Sequence, residues 1–139
     1  MSDVLAFTIE GVPPSGNRAS RIGLRGAYTP REVIEYRERI ASIAFAEIVR
    51  QKFPRAEWFT LEVTAYNVRS DCDNLCAEIL DGLQGVVYES DHRVIDLHVR
   101  KQKDKAGTRV AVRITHADAI AAGYEKAPRA KRVALRDAT

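Results

Sequence analysis

The sequence predicts one small α+β domain, a mixed sheet with two main helices packed on it. Three observations point there. Several runs alternate apolar and polar residues with the period of a half-buried strand. Two longer stretches repeat apolar residues at helical spacing and are punctuated by proline and glycine. A chain of 139 residues suits one modest core, and no internal repeat interrupts it. The domain is expected over residues 1–116. Residues 117–139 read as a basic, Ala-rich C-terminal extension, partly disordered.

The elements follow in order. "VLAFTI", from Val4 to Ile9, is a first strand. The prolines and glycines of "GVPPSGNR" then hold an extended loop. Residues 18 to 28 are rich in Arg and Gly and read as a basic loop or hairpin. "YTPREVIEYRERIASIAFAEIVRQKF" is the clearest helix. Thr29 is its expected N-cap, Pro30 its first residue and Glu32 the partner in a capping box; Pro54 is its expected stop. Val33, Tyr36, Ile40, Ile43, Ala44 and Ile48 form the apolar stripe. Glu35, Arg37, Glu38 and Arg39 fall on the other side. "WFTLEVTAYNV" alternates, with Leu61, Val63 and Ala65 facing inward. A second helix is expected from Asp73 to Gln84, burying Leu75, Ile79 and Leu83 and leaving Asn74, Ala77, Glu78 and Asp81 elsewhere; Gly85 follows as the stop. "RVIDLHVRK" and "TRVAVRIT", joined by "QKDKAG", read as a hairpin. After Ala117 a short helix and a frayed basic tail are expected.

Composition excludes some classes. No apolar run is long enough to span a bilayer, and the N-terminus lacks the basic region of a signal peptide, so a cytoplasmic location is expected. Cys72 and Cys76 lie four apart, which suits neither a disulfide nor a redox pair; both are expected to pack near the core. The net charge is +3 and the pI about 9.0, which favours an anionic partner. The distribution says more. From Ser70 to Asp91 there are six acids and no Lys or Arg, so a −6 segment sits in a +9 remainder. An acidic pocket in a basic body suits a metal-dependent enzyme acting on a polyanion. Scattered charge that keeps a surface soluble accounts for the same numbers.

Within that segment lies "SDCDNLCAEILDGL". An aspartate at a helix start caps free N–H groups and meets the positive end of the dipole, which accounts for Asp73. It accounts less well for Asp71, expected at a strand end, and not for Asp91. The alternative is a cation site. Residues two apart on a strand point to the same side, so Asp71 and Asp73 can converge, and Asp91 can join them from the turn before the next strand. Hard divalent cations take carboxylate oxygens and keep several waters.

The motifs "VPPSGNR", "YTPREVIEYRERI", "RSDCDNLCAEILDGLQGVVYESDHRVIDLHVRK" and "GTRVAVRI" together resemble the RusA family of Holliday-junction resolvases over residues 4 to 115. The resemblance implies a homodimeric endodeoxyribonuclease. Such an enzyme nicks four-way or branched DNA symmetrically with Mg²⁺ or Mn²⁺, in recombination and repair, and has no membrane partner. It puts the catalytic, metal-holding acids at Asp71, Asp73 and Asp91, with Asn74 and Asp81 in support. The family usually carries a lysine four residues after the second aspartate. This chain has Ala77 there, and Lys101 or Lys103 is the expected substitute. A second departure is Ser90 beside Asp91, where the family usually has a pair of acids.

The implied chemistry is metal-assisted hydrolysis that leaves a 5′-phosphate. Phosphate contacts are expected from Arg18, Arg21 and Arg25, then from Arg69, Arg93, Arg100 and Lys101. Two other functions fit the same residues: a branched-DNA-binding protein weakened in catalysis, and a metal-dependent phosphohydrolase acting on nucleotides.

Overall fold

A computed structural model describes residues 3–14, 21–23 and 26–127. The strands are β1 (Val4–Glu10), β2 (Arg21–Gly23), β3 (Gly26–Tyr28), β4 (Phe59–Tyr66), β5 (Val94–Gln102) and β6 (Arg109–His116); the helices are α1 (Arg31–Gln51) and α2 (Cys72–Leu83). Among the described residues the main sheet has the order β1-β6-β4-β5. β4 runs parallel to β5 and antiparallel to β6, and β1 is antiparallel to β6. The α+β class, the mixed sheet and the two helices agree with the sequence reading. β2 and β3 pair antiparallel, which favours the hairpin of the two alternatives, loop or hairpin, that the sequence left open.

Alternation becomes a core through register. Leu5, Phe7 and Ile9 pair with Ile114, Val112 and Val110, which pair in turn with Leu61, Val63 and Ala65. All nine side chains of these rows point to one face, where they are buried. Tyr36, Ile40 and Ala44 of α1 and Leu75, Ile79 and Leu83 of α2 bury against it. The opposite face keeps Thr60, Glu62 and Thr64 half-exposed. No helix among the described residues is long and apolar enough to cross a membrane.

Three expectations are corrected. β5 and β6 are not a hairpin, because β4 lies between them. Asn67, just past β4 with φ 59°, makes this possible. Its backbone N–H donates to the Gln102 carbonyl at 2.9 Å, and its side-chain amide donates to the carbonyls of Asp104 (2.7 Å) and Gly107 (3.0 Å). Its Oδ1 accepts from the Asp104 N–H at 3.1 Å. The connection therefore wraps one side chain and crosses the end of β4, spanning two strand spacings of about 4.8 Å. Second, α1 starts without the expected capping box. Pro30 is the N-cap, and its carbonyl accepts from Val33 and Ile34. Third, α1 ends at Lys52 in the left-handed region, before Pro54. The Phe53 N–H returns to the Ile48 carbonyl and its ring is buried, so packing of Phe53 sets the stop.

Gly82 decides how closely the helices approach. A Cβ there would lie 2.8 Å from both Cβ and Cγ2 of Ile40 on α1. Glycine inside a helix costs about 1 kcal/mol relative to alanine, and this close approach offsets it. Gly82→Ala is expected to destabilise the fold by about 1–3 kcal/mol, read from a denaturant midpoint. A stabilised variant would contradict the close packing.

Candidate metal and DNA site

β4 ends at Tyr66, so Asp71 is not on a strand as expected. It is the N-cap of α2, extended at φ −65° and ψ 150°, and its carbonyl accepts from Leu75 at 3.1 Å. Its side chain makes no capping hydrogen bond. Asp73 is in the first turn and is exposed. An acid there meets the positive helix end, worth about 0.3–1 kcal/mol. Asn74 follows, half-buried. Asp91 opens a 3₁₀ turn, Asp91–Arg93, directly before β5.

The six acids of the segment divide into two sets. Arg37 reaches across from α1 and holds two of them: its Nε lies 3.0 Å from Glu78 Oε2 and its Nη2 3.0 Å from Asp81 Oδ2. Glu89 faces Arg93 at 3.9 Å. Asp71, Asp73 and Asp91 are all exposed and have no cationic partner among the described residues. Asp81 thus pins the two helices together.

Glu78 is buried, although the sequence places it off the apolar stripe of Leu75, Ile79 and Leu83. Burial raises its pKa, and Arg37 partly offsets that. A folded-state pKa above that of an unfolded glutamate means that Glu78 favours folding most below about pH 4.5. That contribution is lost as pH rises through the folded value. Arg37→Met should therefore cost more at pH 7 than at pH 4. The expected loss at pH 7 is about 2–3 kcal/mol, since the pair is only partly buried. Urea melts at the two pH values check it. Arg37 was hidden in the sequence among exposed charges; its spacing from Val33 and Ala44 places it beside the buried stripe.

The three unpaired acids are not together in one chain. Asp71 follows the end of β4, whereas Asp91 precedes the β5 residue Val94, which pairs with Phe59 at the start of β4. α2 separates them, and its ten residues from 72 to 81 alone rise about 15 Å. Among the described residues no group of three His, Cys, Asp or Glu side chains could hold a metal ion. Asp71 and Asp73 by themselves offer two uncommitted carboxylates on one helical turn. That donor set fits a hard cation of the Mg²⁺ type, which binds through one or two carboxylates plus waters and substrate phosphate.

Basic residues surround this end unevenly. Arg69 is exposed two residues before Asp71. Lys101 pairs in register with Ala65, whose side chain faces the helices. Lys101 therefore shares the helix-bearing face, at the sheet end where α2 begins. Arg100 pairs with Thr64 on the open face and lines a shallow depression with Glu62 and Arg113. Arg93 is engaged with Trp58, Glu57 and Glu89. Arg18 and Arg25 lie outside the described residues, and Arg21 opens β2. Cys76 is buried, which raises its thiol pKa; Cys72 is exposed, against expectation.

Comparison with known proteins adds one finding. The family profile described as Endodeoxyribonuclease RusA matches residues 10–115, a span that contains Asp71, Asp73, Asn74, Asp81 and Asp91. No curated protein matches the chain. On the extent of that profile match, the chain belongs to the RusA family of Holliday-junction-resolving endodeoxyribonucleases.

Proposed function

We propose that this chain is a Mg²⁺-dependent endodeoxyribonuclease that acts as a homodimer on four-way and related branched DNA. It makes two symmetric nicks with 5′-phosphate ends, in recombination and repair. The observation that carries this reading is the division of acids: Arg37 holds Glu78 and Asp81, Arg93 approaches Glu89 at 3.9 Å, and Asp71, Asp73 and Asp91 have no cationic partner among the described residues of the family span. Hard divalent cations take carboxylate oxygens, and these three acids are the ones left free to supply them.

Asp71 and Asp73 would hold the cation, Mg²⁺ or Mn²⁺, with Asp91 as the third acid and Asn74 beside them. When bound, such an ion polarises a phosphoryl oxygen and lowers the pKa of a bound water. Because the pair and Asp91 lie at opposite ends of α2, a two-fold dimer offers the natural closure. Antiparallel neighbouring α2 helices would bring the pair of one protomer to Asp91 of the other. An isologous interface generates two such sites at once, matching the two strands of a junction. Arg69 and Arg100, together with Arg18, Arg21 and Arg25 of the N-terminal region, would contact phosphates and set register.

Ala77 lies one turn beyond Asp73 and is exposed. A lysine there would reach a phosphate oxygen; alanine does not. The face occupied by Lys101 makes it the substitute of choice. Lys101→Ala should slow single-turnover cleavage with little change in junction affinity, and Ala77→Lys should recover much of the loss. A donor acting mainly in the transition state is worth up to about 2.7–4 kcal/mol. Unchanged rates in both variants would remove Lys101 from the mechanism.

The function itself is tested by incubating the protein with Mg²⁺ and, separately, a four-way junction, a linear duplex and a nucleoside triphosphate. Nicking confined to the junction is the expected result. Junction binding without cleavage would identify a branched-DNA-binding protein. Hydrolysis of the nucleotide alone would identify a phosphohydrolase.

A further inference from the structure

Trp58 is the single tryptophan of the chain. It immediately precedes β4, and three side chains pack around it. The Tyr124 ring meets it edge-on, with centroids 5.0 Å apart. The Arg93 guanidinium carbon lies 5.2 Å from its centroid, and the His92 ring 6.2 Å away. His92 and Arg93 are the two residues that follow Asp91 in the 3₁₀ turn. Glu57 and Glu89 flank Arg93 at 3.7 and 3.9 Å.

Tyr124 comes from the C-terminal extension, which the sequence suggested would be a short helix and a frayed tail. Residues 117–125 instead form turns docked on the domain. The Ala117 N–H donates to the Trp58 carbonyl at 2.9 Å. Asp118 Oδ1 accepts from the N–H groups of Ile120 and Ala121 at 3.0 and 3.1 Å. Ala119 is buried, and its carbonyl accepts from Tyr124 and Glu125 at 2.8 and 2.9 Å. The family match stops at residue 115, so this docked segment belongs to the chain and not to the shared domain.

We propose that residues 117–125 are a strap that fixes the orientation of Asp91 through the Tyr124–Trp58–Arg93 stack, with Tyr124 as a positioning residue for the metal site. The inference rests on the reading of Asp91 as a metal-holding acid. A three-residue 3₁₀ turn has poor internal hydrogen bonding. Here its N-cap contributes one side-chain contact, from the His92 N–H to Ser90 Oγ at 3.3 Å. The Arg93 N–H to the Ser90 carbonyl at 3.0 Å and the Val94 N–H to the Asp91 carbonyl close the turn, and the two side chains that follow Asp91 add packing on Trp58. A ligand held loosely by about 1 Å loses much of its function. Removing a supporting outer contact typically weakens metal binding about 10–100-fold.

The test uses the full chain without DNA, titrated calorimetrically with Mn²⁺. Trp58 emission reports separately whether the strap has come away. Tyr124→Ala should shift that emission and weaken Mn²⁺ binding about tenfold, with a parallel rise in the Mn²⁺ needed for half-maximal cleavage. Tyr124→Phe keeps the ring edge and should restore both. Tyr124 is half-exposed, so its loss leaves the core intact; Asp118→Ala loosens the same strap by an independent route and should act in the same direction. Asp91→Asn is the control. If Asp91→Asn weakens Mn²⁺ binding while Tyr124→Ala and Asp118→Ala bind as wild type, the strap is overturned and the site stands. If Asp91→Asn binds as wild type, or the wild type binds no Mn²⁺, both readings are overturned.

Discussion

Asp73→Asn is expected to lower junction cleavage on the order of 10³-fold, the scale of losing one preorganised group that stabilises charge in the transition state. Junction binding should stay the same or tighten. The physical reason lies in charge and shape. Asparagine is nearly isosteric with aspartate, so the first turn of α2 keeps its geometry. It loses the favourable interaction of an acid with the helix N-terminus, only about 0.3–1 kcal/mol. What it removes is one of two uncommitted carboxylates on that turn, and with it a hard-oxygen donor. It also removes a negative charge that repels phosphate. Cleavage and binding should therefore move in opposite directions, which a folding defect would not produce. Rates under saturating Mg²⁺, with affinities measured in Ca²⁺, check both halves. An Asp73→Asn protein that cuts within tenfold of wild type would contradict the assigned role.

The second large effect is expected from mixing two inactive proteins. Asp73→Asn and Asp91→Asn homodimers should each be inactive. If each site takes its pair from one protomer and Asp91 from the other, a mixed dimer has one site carrying both substitutions and one carrying neither. Mixing should then restore single nicks, with activity following the fraction of mixed dimers and paired nicks staying absent. If all three acids came from one chain, every site in the mixed dimer would carry a substitution and mixing would restore nothing. Separation of Asp71 and Asp91 by the length of α2 within one chain is the reason to expect the first outcome.

The strands and helices were legible because burial on one face imprints its period on the sequence. β4 is the clear case: Leu61, Val63 and Ala65 are buried and Glu62, Thr64 and Tyr66 are not. Strand partnership carries no such imprint. β5 and β6 each alternate, and nothing in either run says that β4 will come between them. The determinant is Asn67, one residue whose left-handed backbone and amide contacts organise the crossing. Its position after a strand, in "AYNVRS", is the only local sign.

The acids of the site were legible as chemistry, since Asp71, Asp73 and Asp91 stand in a segment free of bases. Their arrangement in space was not. Sequence distance does not reveal that α2 carries the chain from one end of the sheet to the other. Nor did the sequence separate structural acids from candidate ligands. That distinction came from Arg37, which belongs to a different helix and reaches Glu78 and Asp81 because Gly82 lets α1 approach α2.

The most direct measurement is strand-by-strand mapping of cuts in a synthetic four-way junction. Each strand is labelled in turn at its 5′ end, and wild-type protein is added with Mg²⁺. Nicks at symmetry-related positions on two opposing strands, with ligatable 5′-phosphate ends, are the predicted result. Intact junctions bound by the protein in Mg²⁺ and Mn²⁺, or cuts scattered equally over all four strands and over linear duplex, would contradict it.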